Sequence, residues 1–179
     1  TSAILQVTGI AQKKIYFLTG HGEGATDASF SKASDALKDD LYLVDTLNLI
    51  TDPNIPEDCA ALIIAAPQNS LSADEILTIQ FYLLAGGHVM VLTDPDSAAD
   101  ITTLLTPWGI DFGEGIVIDP SSSVAPRKDM PVVPAARNIF ALPNVYFAGA
   151  AGIISLDTVP GGIIINPLVW TSSSAWLAR

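Results

Sequence analysis

One cysteine, two histidines and eight basic residues are all that this chain of 179 residues holds of three chemically versatile classes. The lone Cys59 excludes an intramolecular disulfide and a multi-cysteine metal site. It leaves the compartment open, since many extracytoplasmic proteins carry no bridges. With only His21 and His88 available, a zinc site would have to draw most of its ligands from carboxylates. Eight bases against 19 acids give a net charge of −11, which repels phosphate backbones and anionic headgroups and argues against a nucleic-acid partner. No apolar run reaches the ~18 residues that a membrane-spanning helix requires. The longest candidate, "VYFAGAAGIISL", is too short and rich in glycine. The chain opens on Thr1 without a signal peptide, so the expectation is a segment of a longer polypeptide whose membrane spans lie elsewhere.

What the chain does have is apolar substance. Hydrophobic residues make up 49% and charged residues 15%, enough to bury a core as one globular domain. The charge is uneven, with 14 acids and 4 bases in residues 1–100 against 5 and 4 in residues 101–179. The reading is a single domain over 1–179, with a core of about 13–120 and a C-terminal extension of about 121–179.

"KKIYFLTG" is a short apolar run closed by glycine, the pattern of a strand buried on both faces. "ASFSKASDALKDD" places Phe30, Ala33 and Leu37 on one helical face, with Asp27 or Ser29 as N-cap. "LYLVDTLNL" and "CAALIIAAP" read as a second and a third strand, the third central. "SADEILTIQFYLLAGG" opens with a capping box, Ser72 and Glu75, and closes on Gly86 and Gly87. "HVMVLTDPD" supplies a fourth strand, "ADITTLLTPWG" a short helix and "IVID" a fifth strand. Beyond Pro120, "PSSSVAPRKDMPVVPAAR" is too rich in proline for a long helix, and "NVYFAGAAGIISL" and "GGIIINPLVWTSS" read as two strands pairing antiparallel across "DTVPGG".

Strands and helices alternating at this spacing predict a three-layer, doubly wound, mostly parallel α/β sheet with extra C-terminal antiparallel strands. Ligands on such sheets sit at the carboxyl ends of the strands. Those ends are read here as Gly20–Gly24, Asp45, Pro67–Asn69 and Asp94–Asp96.

The glycine-rich loop after the first strand admits several readings. Gly20, Gly22 and Ala25 match a variant of the dinucleotide fingerprint, with Asp45 placed as the ribose-binding acid. Against that stand the carboxylate of Glu23 and a helix that starts late. His21 and Glu23 could contribute to a metal site, but His88 opens the strand at the opposite edge, so no metal and no cofactor are expected. The simpler expectation is that His21 donates to a neighbouring backbone carbonyl while Glu23 is solvated. Cys59 begins its strand, at the wrong end for a nucleophile, and reads as a small buried apolar residue. Ser70 and Ser72 have no histidine in reach, and no G-x-S-x-G occurs.

The order "KKIYFLTGHGEGA", "IPEDCAALIIAAPQNSLSADEILTIQFYLLAGGHVMVLTDPD", "LLTPWGIDFGEGIVIDPSS" and "LVWTSSSAW" resembles the extracytoplasmic domain of the auxiliary component of ABC-type transport systems, the family that includes gliding-motility transporter auxiliaries. The similarity runs from about Lys13 to Trp176. It rests on the G-H-G-E turn, the I-P-x-D segment, the A-P-x-x-x-L-S-x-x-E helix entry, the D-P-D after the fourth strand and the T-S-x-x-x-W ending.

That resemblance implies a class I glutamine amidotransferase-like (flavodoxin-like) domain without catalytic residues, since the turn after the third strand reads "APQNS" and lacks a nucleophile. It implies a location outside the cytoplasmic membrane, anchored by segments of the parent chain, with the membrane subunits of an ABC transporter as partners. The expected function is a non-enzymatic binding or assembly module. Gly20, His21, Gly22, Glu23, Gln68, Asn69 and Asp94 would line a polar cleft suited to a sugar, a peptide or a partner's loop. Two alternatives stand beside it. One is a nucleotide-binding or hydrolytic domain built on the Gly20–Gly24 loop. The other is a protein-interaction scaffold presenting Trp108, Trp170 and Trp176.

Overall fold

The computed structural model describes residues 12–95, 100–139, 142–156 and 161–179. They group into two compact units, the first reaching Thr93 and the second running from Ile101 to Arg179 with Asp94 and Pro95. The division falls where the acidic half of the sequence ends. Residues 101–120, read from the sequence as the end of the core, therefore group with the C-terminal residues.

The first unit is a parallel sheet of β1 (Lys14–Leu18), β2 (Leu43–Leu47), β3 (Cys59–Ala65) and β4 (Val89–Leu92), in the order β2-β1-β3-β4. Tyr16 lies opposite Asp45 on one side and Leu62 on the other, and Leu62 lies opposite Val89. The two strands with continuous apolar runs are the two interior ones. Ile15 to Leu18 and Leu62 to Ala65 are all buried, as strands covered on both faces must be. On one face Ile15, Phe17, Ile63 and Ala65 pack with Phe30 and Leu37. Full burial of the isoleucine and Phe17 side chains contributes roughly 1.5–3 kcal/mol each.

Helix α1 (Ser31–Asp39) starts at Phe30, which makes no side-chain cap, so neither Asp27 nor Ser29 caps it. The chain turns through Ala25 to Ser31 first, and packing of the Phe30 ring near Phe17 fixes where the helix begins. Its inward residues are Phe30, Ser34 and Leu37; Ala33, expected on that face, is exposed. The helix ends in a Schellman motif, with the Tyr42 N–H donating to Leu37 O and the Leu41 N–H to Lys38 O. Helix α2 (Ala73–Leu84) has both halves of the expected capping box: the Glu75 N–H donates to Ser72 Oγ and the Ser72 N–H to the Glu75 carboxylate.

Helix α3 (Asp100–Leu105) and a 3₁₀ turn (Thr106–Trp108) precede the strands of the second unit, and Gly109 at φ 78° ends the turn. There β5 (Ile110–Ile118) is the centre of an antiparallel sheet, flanked by β9 (Ala151–Ser155) and β10 (Trp176–Ala178). A second antiparallel sheet joins β6 (Ser123–Val124), β7 (Arg127–Val133) and β8 (Val145–Tyr146). The expected fifth parallel strand is therefore an antiparallel one, and the parallel sheet has four strands. Gly113 faces Gly152 across β5 and β9, and a Cβ at either would strike the side chain of Leu177. "GGIIINPLVWTSS" is also not a strand among its described residues. It contributes one isolated bridge, Asn138 to Val169, and β9, the strand it was expected to pair with, pairs with β5 instead. Pro167 within that segment lacks the N–H a ladder needs. Of the expected connector "DTVPGG", residues 157–160 lie outside the described residues.

Candidate functional site

The sheet order changes direction between β1 and β3, so the loops leaving those two strands face each other at the switch point. They do not leave an open crevice. The carbonyl of His21 accepts the backbone N–H groups of Gln68 and Asn69, both at 2.8 Å, and the Asn69 side-chain amide at 3.3 Å. The turn can do this because Gly20 and Gly22 have φ of 117° and 79°, and a Cβ on Gly22 would lie 3.0 Å from Gln68 Cβ. Gly24 serves differently: its φ is not positive, and a Cβ there would fall 2.3 Å from the Phe30 ring.

His21 is buried, and both ring nitrogens face carboxylates: Nδ1 lies 3.1 Å from Glu23 Oε1 and Nε2 3.2 Å from Glu75 Oε2. The Glu23 side chain is 1% exposed and also accepts the His21 N–H at 2.7 Å. The expectation of a solvated Glu23 and a His21 bound to a carbonyl is thus overturned. Glu75, the helix cap of α2, sits where a second carboxylate can reach the ring, a contact that no local pattern in the sequence announces. Two carboxylates thus flank a single imidazole ring. Burial by itself would raise the Glu75 carboxyl, but the Ser72 N–H and hydroxyl and the nearby His21 ring outweigh it and hold it below its ordinary range. Its Oε2 makes the hydrogen bonds; Oε1 is buried without a partner.

Beside this knot lies a cleft of about 770 Å³, within the range of small-molecule sites. Gly20, His21 and Asn69 line it, as do Leu49, Ile50 and Pro53 from the loop after β2 and Ser70 to Ser72, Asp74, Glu75 and Thr78 at the start of α2. Gly22, Glu23 and Gln68 do not; Gln68 is exposed and turns back to donate to Ala66 O. Asp94 follows β4 and groups with the second unit. Asp45 is not at a strand end: β2 continues to Leu47, and Asp45 lies mid-strand in an ion pair with Lys14 at 3.0 Å. Among the described residues no group of three His, Cys, Asp or Glu could hold a metal ion.

The second unit has its own buried carboxylate. Asp119, at the end of β5, accepts from the Ser172 N–H at 2.8 Å, the Ser172 hydroxyl at 2.6 Å and the Ser122 N–H at 3.1 Å, with Arg137 Nη1 at 3.6 Å. Burial works against its charge, yet these donors and the guanidinium keep its carboxyl below the ordinary range. Of the three tryptophans, Trp170 and Trp176 are exposed and line an apolar groove of about 460 Å³, whereas Trp108 is half-buried.

A family model described as "ABC-type uncharacterized transport system" matches residues 12–179, nearly the whole chain. The chain belongs to this family. It is an auxiliary component of an ABC-type transport system, a membership that implies membrane transporter partners. No curated protein matches it. Among solved structures it is similar in fold to one described as "mmIFT52 N-terminal domain", at 16% identity and a TM-score of 0.63, covering 80% of this chain and 69% of that one. For this auxiliary component, the G-H-G-E turn and the L-S-x-x-E helix entry are one hydrogen-bonded unit. The same holds for the aspartate of "VIDPSS" and the serine of "TSSSAW". Among the described residues, no helix is long and apolar enough to cross a membrane.

Proposed function

We propose that this auxiliary component is a non-enzymatic binding or assembly module, working outside the cytoplasmic membrane and anchored there by segments of its parent chain. Its first unit is read as class I glutamine amidotransferase-like, because the order β2-β1-β3-β4 is the start of the flavodoxin-like order. The observation that carries the non-enzymatic reading is the turn after β3. Ala66 sits there at φ 52°, a left-handed conformation that costs a residue with a Cβ on the order of 1 kcal/mol. A strained turn of this kind is where an enzyme of the fold would expose its nucleophile, and alanine has none. The nearby histidine offers no base either, since both its nitrogens are committed to carboxylates.

The nucleotide alternative loses support at the same loop. The His21 N–H that would meet a phosphate is bound by Glu23, and α1 begins only at Ser31. The scaffold alternative has a specific observation behind it: exposed Leu77, Phe81 and Leu84 at i, i+4 and i+7 on α2, and the groove under Trp170 and Trp176. It is compatible with assembly and does not require a separate role.

The test combines two assays. Transporter membrane subunits should co-purify with the full-length protein from detergent-solubilised membranes, and the purified chain should show no amidase, esterase or phosphatase turnover above background. Turnover abolished by His21→Ala would overturn the non-enzymatic reading, and absence of the subunits from the purified material would overturn the assembly reading.

A further inference from the structure

We propose that the cleft beside His21 takes an organic cation, an ammonium or guanidinium head on an apolar stem. This deepens the binding-module reading and rests on it.

The floor of the cleft supplies the first reason. Glu75 is 6% exposed, and with Oε2 taken by Ser72 and His21, its Oε1 is a buried carboxylate oxygen that lacks a hydrogen bond. A buried acceptor left unpaired costs free energy that a donor from a ligand would recover. The make-up of the knot supplies the second. Glu23 and Glu75 set two carboxylates against the single imidazole of His21, and a buried acidic group favours a counter-charge within reach. Asp74, exposed at the rim, adds a further acidic group, and no Lys or Arg is among the lining residues.

The position at a helix start would ordinarily favour an anion. Here that role is already filled, because Asp74 and Glu75 occupy the first turn of α2 and the Ser72 N–H is bound by Glu75. An incoming anion would meet two carboxylates. The walls decide the rest of the ligand. Ile50 and Pro53 are exposed and give the lining apolar surface, with Leu49 and Leu71 buried behind it, the match for a methylene stem ending in a charge. Lysine and arginine side chains of a partner protein have this form, and so does a free diamine.

Backbone amide shifts of the folded chain, followed by nuclear magnetic resonance, separate these sources. The probes are N-acetyl-lysine methylamide, N-acetyl-arginine methylamide, 1,4-diaminobutane and, as the uncharged control, N-acetyl-norleucine methylamide. Saturable shifts at Leu49, Ile50 and Ser70 to Thr78 are expected for the cations and not for norleucine. Saturation by the amino-acid probes alone assigns the site to a partner's side chain; saturation by the diamine alone assigns it to free amines. Glu75→Gln, whose amide can still cap α2, should weaken binding at least tenfold, and Asp74→Asn, an exposed change that spares the fold, several-fold. Equal response to norleucine, no saturation by any cation, or an unaltered response in both variants would overturn the proposal. If the cations fail while the transporter subunits still co-purify, this inference falls and the module reading stands; loss of co-purification removes the reading beneath it.

Discussion

Replacing His21 by alanine removes the ring that separates two buried carboxylates. Glu23 loses its Nδ1 contact at 3.1 Å and Glu75 its Nε2 contact at 3.2 Å, two acids whose side chains are 8% exposed or less in the intact fold. Hydrogen bonds to charged groups contribute about 1.5–3 kcal/mol each, and leaving a buried charge without its partner costs about 3–5 kcal/mol. Water entering the space left by the ring offsets part of this, so the expected loss is about 3 kcal/mol. Solvent screening gives little relief because none of the three side chains is substantially exposed. For a unit of this size the midpoint of thermal unfolding should fall by roughly 10–20 °C. Urea unfolding of the wild type, His21→Ala, Glu75→Ala and the double variant measures the coupling directly, and an interaction energy of about 1 kcal/mol or more is expected between residues in contact. A His21→Ala loss below about 0.5 kcal/mol, the size of an ordinary surface substitution, would refute the buried-knot account and restore the solvated turn expected from sequence.

Three further outcomes follow from other parts of the molecule. Glu75 and Asp119 both have carboxyls held below their ordinary values of 4.5 and 3.8, so the stability they contribute is present above those values and is lost as pH falls through the lower folded ones; acid titration of unfolding should show a steep loss below about pH 4 that Glu75→Gln makes shallower. Leu41 closes the Schellman motif of α1 at φ 71°, so Leu41→Gly should raise stability by about 0.5–1 kcal/mol in urea unfolding, and a loss would mean that the leucine side chain outweighs its strain. Gly22→Val forces a branched side chain to φ 79° against Gln68 and should cost about 2 kcal/mol, read as a lowered melting temperature.

The sequence made the first unit legible because its signals there are local. A continuous apolar run means a strand covered on both faces, and β1 and β3 are such strands. The capping box of Ser72 and Glu75 depends on four consecutive residues, and both of its hydrogen bonds are present. What the sequence hid depends on distant partners. Residues 110–118 form a strand in either reading, yet only the return of Trp176–Ala178 and Ala151–Ser155 makes it the centre of an antiparallel sheet. Ala33 and Ser34 could each face inward by periodicity, and packing chose Ser34. Of the residues expected to line a cleft, Gly20, His21 and Asn69 do so, while Glu23 is drawn inward by the His21 N–H and ring. Ser70, Asp74 and Thr78 were missed because nothing in their local pattern points to a cleft; their place depends on the loop after β2 coming back to the start of α2.

Several residues of the motifs that reveal the family serve contacts within the fold, and one of them, Glu75, is also proposed to meet the ligand. His21 and Glu23 of the G-H-G-E turn are bound to Ser72 and Glu75 of the L-S-x-x-E entry through one chain of hydrogen bonds. Asp119 and Ser172 join two other segments of the pattern, and Asp58 of I-P-x-D accepts from the Tyr16 hydroxyl at 2.9 Å. The contacts at His21 and Asp119 are buried ones that reach elements far apart in sequence, costly to leave half-made and therefore able to fix one arrangement of the fold against others. Leu49, Ile50 and Pro53, by contrast, wall the cleft from a loop that belongs to none of these motifs. A substitution there changes the shape offered to a ligand without breaking a buried hydrogen bond. Glu75 belongs to both the knot and the cleft: its Oε2 holds the fold, and in the proposed site its Oε1 is left for the ligand.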